Sequence, residues 1–168
     1  GLPKFTTDFL EDEAKVKAKL GDNATRTEIA KAMGMSSGQY DAYRGYAHKE
    51  LWFAKRAAAI ELCKTHSQTE TARILGEKSE SNIRTYLNDE IAYRQGRVRN
   101  TAAELRKMVD NGDQYVGIGS GVPALMGVPQ TTFDSSIKAL EVEGYKTHVI
   151  ELKQINNPSN TTKHKVLT

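Results

Sequence analysis

Glycine repeatedly interrupts the apolar helical periodicity of this chain, at Gly21, Gly34, Gly76, Gly127 and Gly144. Glycine takes the positive φ that closes a helix and turns the backbone sharply. Stripes cut at these intervals fold as short helices joined by tight turns. The 168 residues, 38% hydrophobic and 27% charged, suit one domain or two or three small ones. No apolar run approaches the roughly 18 residues of a membrane span. Gly1-Leu2-Pro3-Lys4 leads straight into polar residues, so no signal peptide is expected. Cys63 alone makes no internal disulfide, and no Cys/His cluster has zinc spacing. A reduced, cytoplasmic setting without structural metal or cofactor is the expectation.

The glycines and capping residues mark out three units, 1–49, 50–96 and 97–168. In the first, Asp8 to Leu20 reads as a helix ended by Gly21-Asp22-Asn23. Thr25 or Thr27 caps a second helix, and Ser36 or Ser37 a third that carries Tyr40 and Tyr43. In the second unit, Leu51 to His66 has helical spacing at Leu51, Ala54, Ala58 and Leu62. Ser67 and Glu70 have the capping-box form before a short helix that stops at Gly76. Ser79 starts a third helix with Ile83, Leu87 and Ile91 on one stripe. In the third unit, Asn100 caps a helix through Leu105 and Met108, followed by a strand over Tyr115 to Ile118. A brief helix runs from Val122 to Met126, and Pro129 suits the first turn of the next, Gln130 to Glu143. Tyr145 to Ile155 and Lys163 to Leu167 read as strands around a polar turn at 156–162.

One spacing recurs. Ala30 is followed four residues later by Gly34 and then by Tyr40; Ala72 is followed by Gly76 and then by Ile83. A small residue lets the next helix cross closely, glycine makes the turn, and the apolar residue pins the crossing helix. The step from glycine to pin is six residues in the first unit and seven in the second, which predicts a longer second turn. These residues resemble the helix-turn-helix family of DNA-binding domains. In the third unit Leu125, Gly127 and Phe133 are the expected support, turn and pin. The order helix, strand, helix, helix, strand, wing, strand resembles a winged helix-turn-helix. The fold class expected is therefore mainly α: tandem helix-turn-helix units, then a winged helix with a small antiparallel β-wing. The whole resembles phage-encoded DNA-binding proteins with stacked modules, which implies a bacterial host cytoplasm.

That resemblance implies a double-stranded DNA partner and helices that read it. In the second unit Ser79, Ser81, Asn82, Arg84, Thr85 and Asn88 lie opposite the apolar stripe. In the third, Gln130, Thr131, Thr132, Ser135 and Lys138 lie opposite Phe133, Ile137 and Leu140. Hydroxyls, amides and single cations of this kind approach base edges and phosphates. Phosphate contacts are expected from Arg94, Arg97 and Arg99, and from a wing bearing Lys153, Asn160, Thr161, Lys163 and Lys165. The first unit has Gly38, Gln39, Asp41, Ala42 and Gly45 on the corresponding face. That face suits protein contact or homo-oligomerisation better than DNA.

With 24 basic and 21 acidic residues the net charge is only +3, so any affinity for nucleic acid rests on local arrangement. Other signals carry less. Gly117-Ile118-Gly119-Ser120-Gly121 lacks the endings of a dinucleotide or P-loop motif and reads as a turn. Glu11, Asp12 and Glu13 read as a solvated helix start. His148 and His164 are placed to meet across the last hairpin. No nucleophile–base arrangement has local support, so no catalysis is expected. Three alternatives stay open: a small-terminase-like oligomeric assembly factor, the DNA-recognition fragment of a larger protein, and a protein-binding winged helix.

Overall fold

Hydroxyl caps start three helices of the first half, while Ser79 makes no cap bond. Thr25 Oγ1 accepts the Glu28 N–H at 3.2 Å, and the Glu28 carboxylate turns back to the Thr25 N–H, a complete capping box. Ser36 and Ser67 accept the N–H groups of Gln39 and Glu70. The structure, a computed structural model, describes residues 4–111 and 116–168. It is mainly helical, with one small sheet, and divides into a unit that ends at Gln95 and a unit that begins at Gly96.

The first of these holds six helices: α1 (Lys4–Leu20), α2 (Arg26–Ala32), α3 (Ser37–Leu62), α4 (Gln68–Leu75), α5 (Glu80–Leu87) and α6 (Asp89–Gln95). The expected division at 49/50 falls inside α3, which runs unbroken for 26 residues. Between Tyr46 and Leu62 there is no proline or glycine to stop it. Two apolar clusters form along it. Phe9, Ile29, Ala30 and Tyr40 surround Ala47; Ala72, Ile83 and Tyr86 surround Ala59. Ala47 and Ala59 are twelve residues apart, or about 18 Å of helix, and both are fully buried.

The stripe expected through Ile83, Leu87 and Ile91 is broken at Asn88. There the backbone turns extended (φ −79°, ψ 114°), and Asn88 Oδ1 accepts the Ile91 N–H at 2.9 Å. An asparagine that caps a new helix this way ends the old one, so Tyr86 rather than Ile91 joins the buried cluster.

The second unit contains α7 (Arg97–Asp110), β1 (Val116–Gly117), α8 (Val122–Met126), α9 (Gln130–Glu143), β2 (Thr147–Lys153) and β3 (Thr161–Leu167). Asn100 lies inside α7 rather than at its cap, because its N–H already bonds the Gly96 carbonyl at 2.7 Å. Pro129 stands just before α9, with extended backbone. Tyr115, Gly112 and Asp113 lie outside the described residues. The sheet is antiparallel, in the order β1-β3-β2. Its base closes over Ala102, Leu105, Phe133, Ile137 and Leu140 through Ile118 and Leu167. Ser136, fully buried on α9, donates to the Val98 carbonyl at 3.1 Å and ties α9 to α7.

Candidate nucleic-acid interface

Three turns in the chain have the same backbone. Gly34, Gly76 and Gly127 have φ of 74°, 70° and 71°. In each, the residue after glycine donates its N–H to the carbonyl five residues earlier. The pairs are Met35 to Ala30 at 2.9 Å, Glu77 to Ala72 at 2.9 Å, and Val128 to Pro123 at 3.0 Å. Each is the glycine-closed helix end known as a Schellman turn. The residue four before each glycine is buried: Ala30, Ala72 and Pro123. The third position corrects the sequence expectation, because Leu125 is 88% exposed and Pro123 takes the supporting role. A proline fits there because it lies in the first turn of α8, where its missing N–H has no helical partner to lose. The next helix is pinned in each case by a buried side chain, Tyr40, Ile83 or Phe133. As the spacing predicts, the turn before α5 is one residue longer than the other two.

On α5, Ser81, Arg84 and Thr85 are exposed; Ser79 is exposed just before it, and Asn88, exposed just after it, lies off the helix with its Oδ1 taken by the Ile91 N–H. Several already have partners. Arg84 pairs with Glu80 at 3.1 Å, the Ser79 and Ser81 hydroxyls bond at 2.6 Å, and Thr85 donates to the Ser81 carbonyl. Asn82 is half-buried and donates to Glu77 at 3.1 Å, so it supports the turn instead of facing outward. Glu77 gathers that turn: it also accepts from Tyr86 at 2.9 Å and pairs with Lys55 at 3.1 Å. Burial alone would raise the Glu77 carboxyl, but the bonds from Tyr86, Lys55 and Asn82 bring it below the ordinary value. Lys78, exposed in the same turn, is a cation that the sequence reading passed over; its signal is its place directly before the start of α5.

On α9, Gln130, Thr131, Ser135 and Lys138 are exposed and Thr132 is half-buried. Gln130 donates to Asp134 at 2.9 Å. In the β2–β3 hairpin, Lys153, Asn160, Thr161, Lys163 and Lys165 are all exposed. Register sets Glu151 opposite Lys163, Val149 opposite Lys165 and Lys153 opposite Thr161. With a side-chain period of two, all three lysines share one face of the hairpin. His148 and His164 lie diagonally rather than opposite, since His148 faces Val166 and Ile150 faces His164.

The arginine stretch divides between the two units. Arg94 pairs with Glu90 at 2.9 Å, while Arg106 clamps Glu143 through two bonds, at 2.6 and 3.0 Å. Arg97 and Arg99 are exposed in the first turn of α7 and are engaged within the chain.

In the first half, Gln39, Asp41 and Gly45 are exposed on α3, and Asp41 pairs with Arg26 at 3.6 Å. Glu13 is not solvated: it is 4% exposed and lies four residues after Phe9 on the stripe that faces α3. Tyr40 donates its hydroxyl to Glu13, and His48 Nε2 lies 3.0 Å from it. Lys17 and Arg44 stand at 3.8 and 3.9 Å. Burial pushes the carboxyl up; the bonds from Tyr40 and His48 and the charge of Lys17 more than offset it, leaving Glu13 below its ordinary range. Burial and the Glu13 carboxylate together push the Tyr40 phenol up to about 12.

Among the described residues no group of three or more His, Cys, Asp or Glu is placed to hold a metal ion, and no helix is long and apolar enough to cross a membrane. No protein-family model, curated protein or solved structure matches the chain.

Proposed function

We propose that the chain binds double-stranded DNA, with α5 and α9 as reading helices and the β2–β3 hairpin as a backbone-contacting wing. One observation carries the reading: three helix pairs joined by the same glycine-closed turn, two of them followed by a helix with a polar exposed face. Helix-turn-helix domains use this construction to insert the second helix into the major groove. In the second unit the element order and the β1-β3-β2 sheet agree with the order expected of a winged helix, which supports reading the hairpin, with three lysines on one face, as a wing. Base contacts fall to Ser81, Arg84 and Thr85 on α5 and to Gln130, Thr131 and Ser135 on α9. Lys138, Lys153, Lys163 and Lys165 meet phosphates. The α3 face around Asp41 takes no part, since a carboxylate there repels the backbone. Two modules on one chain raise each other's local concentration, so weak single contacts combine.

Fluorescence anisotropy of a labelled random duplex, titrated with the full chain at low salt, tests the reading. Saturable binding that tightens on a duplex selected from a random pool is expected. No binding to either duplex overturns it.

A further inference from the structure

The outer edge of β2 has no neighbouring strand among the described residues, and its residues are arranged to pair with themselves. We infer that β2 joins β2 of a second copy of this chain, antiparallel, about a two-fold axis at Leu152. In the order β1-β3-β2, β2 pairs with β3 alone among the described residues. Lys146 exchanges both backbone bonds with Thr168, and the Gln154 N–H bonds the Asn160 carbonyl at 3.0 Å. Bonded pairs alternate in an antiparallel ladder, so the even-numbered residues of β2 bond inward to β3. The N–H and C=O groups of Thr147, Val149, Glu151 and Lys153 therefore face the open edge.

Only registers that set odd residues opposite odd residues satisfy those groups. Centred on Glu151, such a pairing sets like charges against each other. Centred on Val149, it leaves Glu151 facing Thr147; centred on Ile150, it leaves Glu151 facing Val149 and Lys153 facing Thr147. Centred on Leu152, it sets Glu151 opposite the second copy's Lys153 and, by symmetry, Lys153 opposite the second copy's Glu151. Opposite-charge cross-strand pairs of this kind contribute to sheet stability. Charges on an edge strand ordinarily block such pairing; here their order along the strand makes them complementary. The dyad is perpendicular to the sheet, so Lys163 and Lys165 of both copies fall on one continuous face.

The surface stands independently of the DNA reading and is tested without DNA. Sedimentation of the full chain over a concentration series is expected to show a monomer–dimer equilibrium. Glu151→Lys and Lys153→Glu should each weaken the dimer by about tenfold or more, because each sets like charges opposite twice. The double swap should restore it. In a Cys63→Ser background, Leu152→Cys should cross-link to dimer under mild oxidation, since residues facing each other across the axis are about 4.5 Å apart at Cα, within disulfide reach. His148→Cys, far from the axis, should not. A chain monomeric at every concentration, or a dimer indifferent to charge reversal and without the Leu152→Cys cross-link, overturns the proposal.

Discussion

At the residue scale, Glu13 is a carboxylate in an apolar cluster whose fate depends on its partners. Tyr40→Phe removes the buried donor and should destabilise the N-terminal unit by about 1–3 kcal/mol at neutral pH, read from the urea midpoint. Because the folded-state Glu13 lies below its ordinary 4.5, its stabilisation is present above that value and is lost as pH falls through the folded value. The penalty of Tyr40→Phe should therefore shrink in acid. Tyr40 and Tyr86 behave in the opposite sense. Both are raised from 10.0 to about 12, so their contribution is intact below pH 10 and is lost as pH rises toward 12. A thermal-unfolding series from pH 9 to 12 should show the midpoint fall in that window, and less steeply in Tyr40→Phe. Thr6 offers a cleaner gain. Its buried Oγ1 has no hydrogen-bond partner among the described residues, so Thr6→Val should stabilise by about 1 kcal/mol. Glu13 itself was hard to read from sequence: it sits in an acidic triplet, and only its four-residue step from Phe9 separates it from its solvated neighbours. A buried carboxylate needs Tyr40 and His48, 27 and 35 residues away, and such pairing is invisible to local pattern.

At the element scale, glycine carries most of what the sequence revealed. The turns at Gly34, Gly76 and Gly127 could be placed because positive φ selects glycine. A Cβ at Gly76 or Gly127 would meet no atom within 4 Å. The cost of Gly76→Ala or Gly127→Ala is then backbone strain alone, about 1–2 kcal/mol. Gly38 and Gly45 also have open space, but they lie inside α3 without positive φ. There the same substitution should stabilise by about 0.5–1 kcal/mol. Four single variants compared by denaturant melts test the difference in sign. Elements without such punctuation were less legible. The continuity of α3 depends on Ala47 and Ala59 serving two clusters, and no residue between them announces that. The division of α5 from α6 depends on the side-chain bond of Asn88 to a backbone three residues on. The support before Gly127 was assigned to Leu125 by its hydrophobicity. The four-residue step kept at Ala30 and Ala72 points instead to Pro123, and the packing follows that step.

At the scale of the whole molecule, the net charge of +3 constrains how the proposed DNA complex would be held. Some arginines form ion pairs within the chain: Arg94 and Arg106 pair with Glu90 and Glu143. Composition cannot show such pairing. The lysines of the hairpin are different, because strand register gathers Lys153 onto one face with Lys163 and Lys165, ten and twelve residues further along the chain. Binding should therefore depend on few phosphate contacts. Each contact contributes about 0.9 to the slope of log affinity against log salt, so the full chain should show a shallow slope, carried largely by the hairpin. Lys163→Ala and Lys165→Ala should each weaken binding to all duplexes alike and flatten the slope by about one. Thr131→Ala or Ser135→Ala on α9 should leave the slope unchanged and reduce the preference for a selected site over random duplex. Anisotropy titrations at four salt concentrations separate these two classes of effect. A lysine variant that changes site preference but not slope would move that lysine from the backbone to the bases.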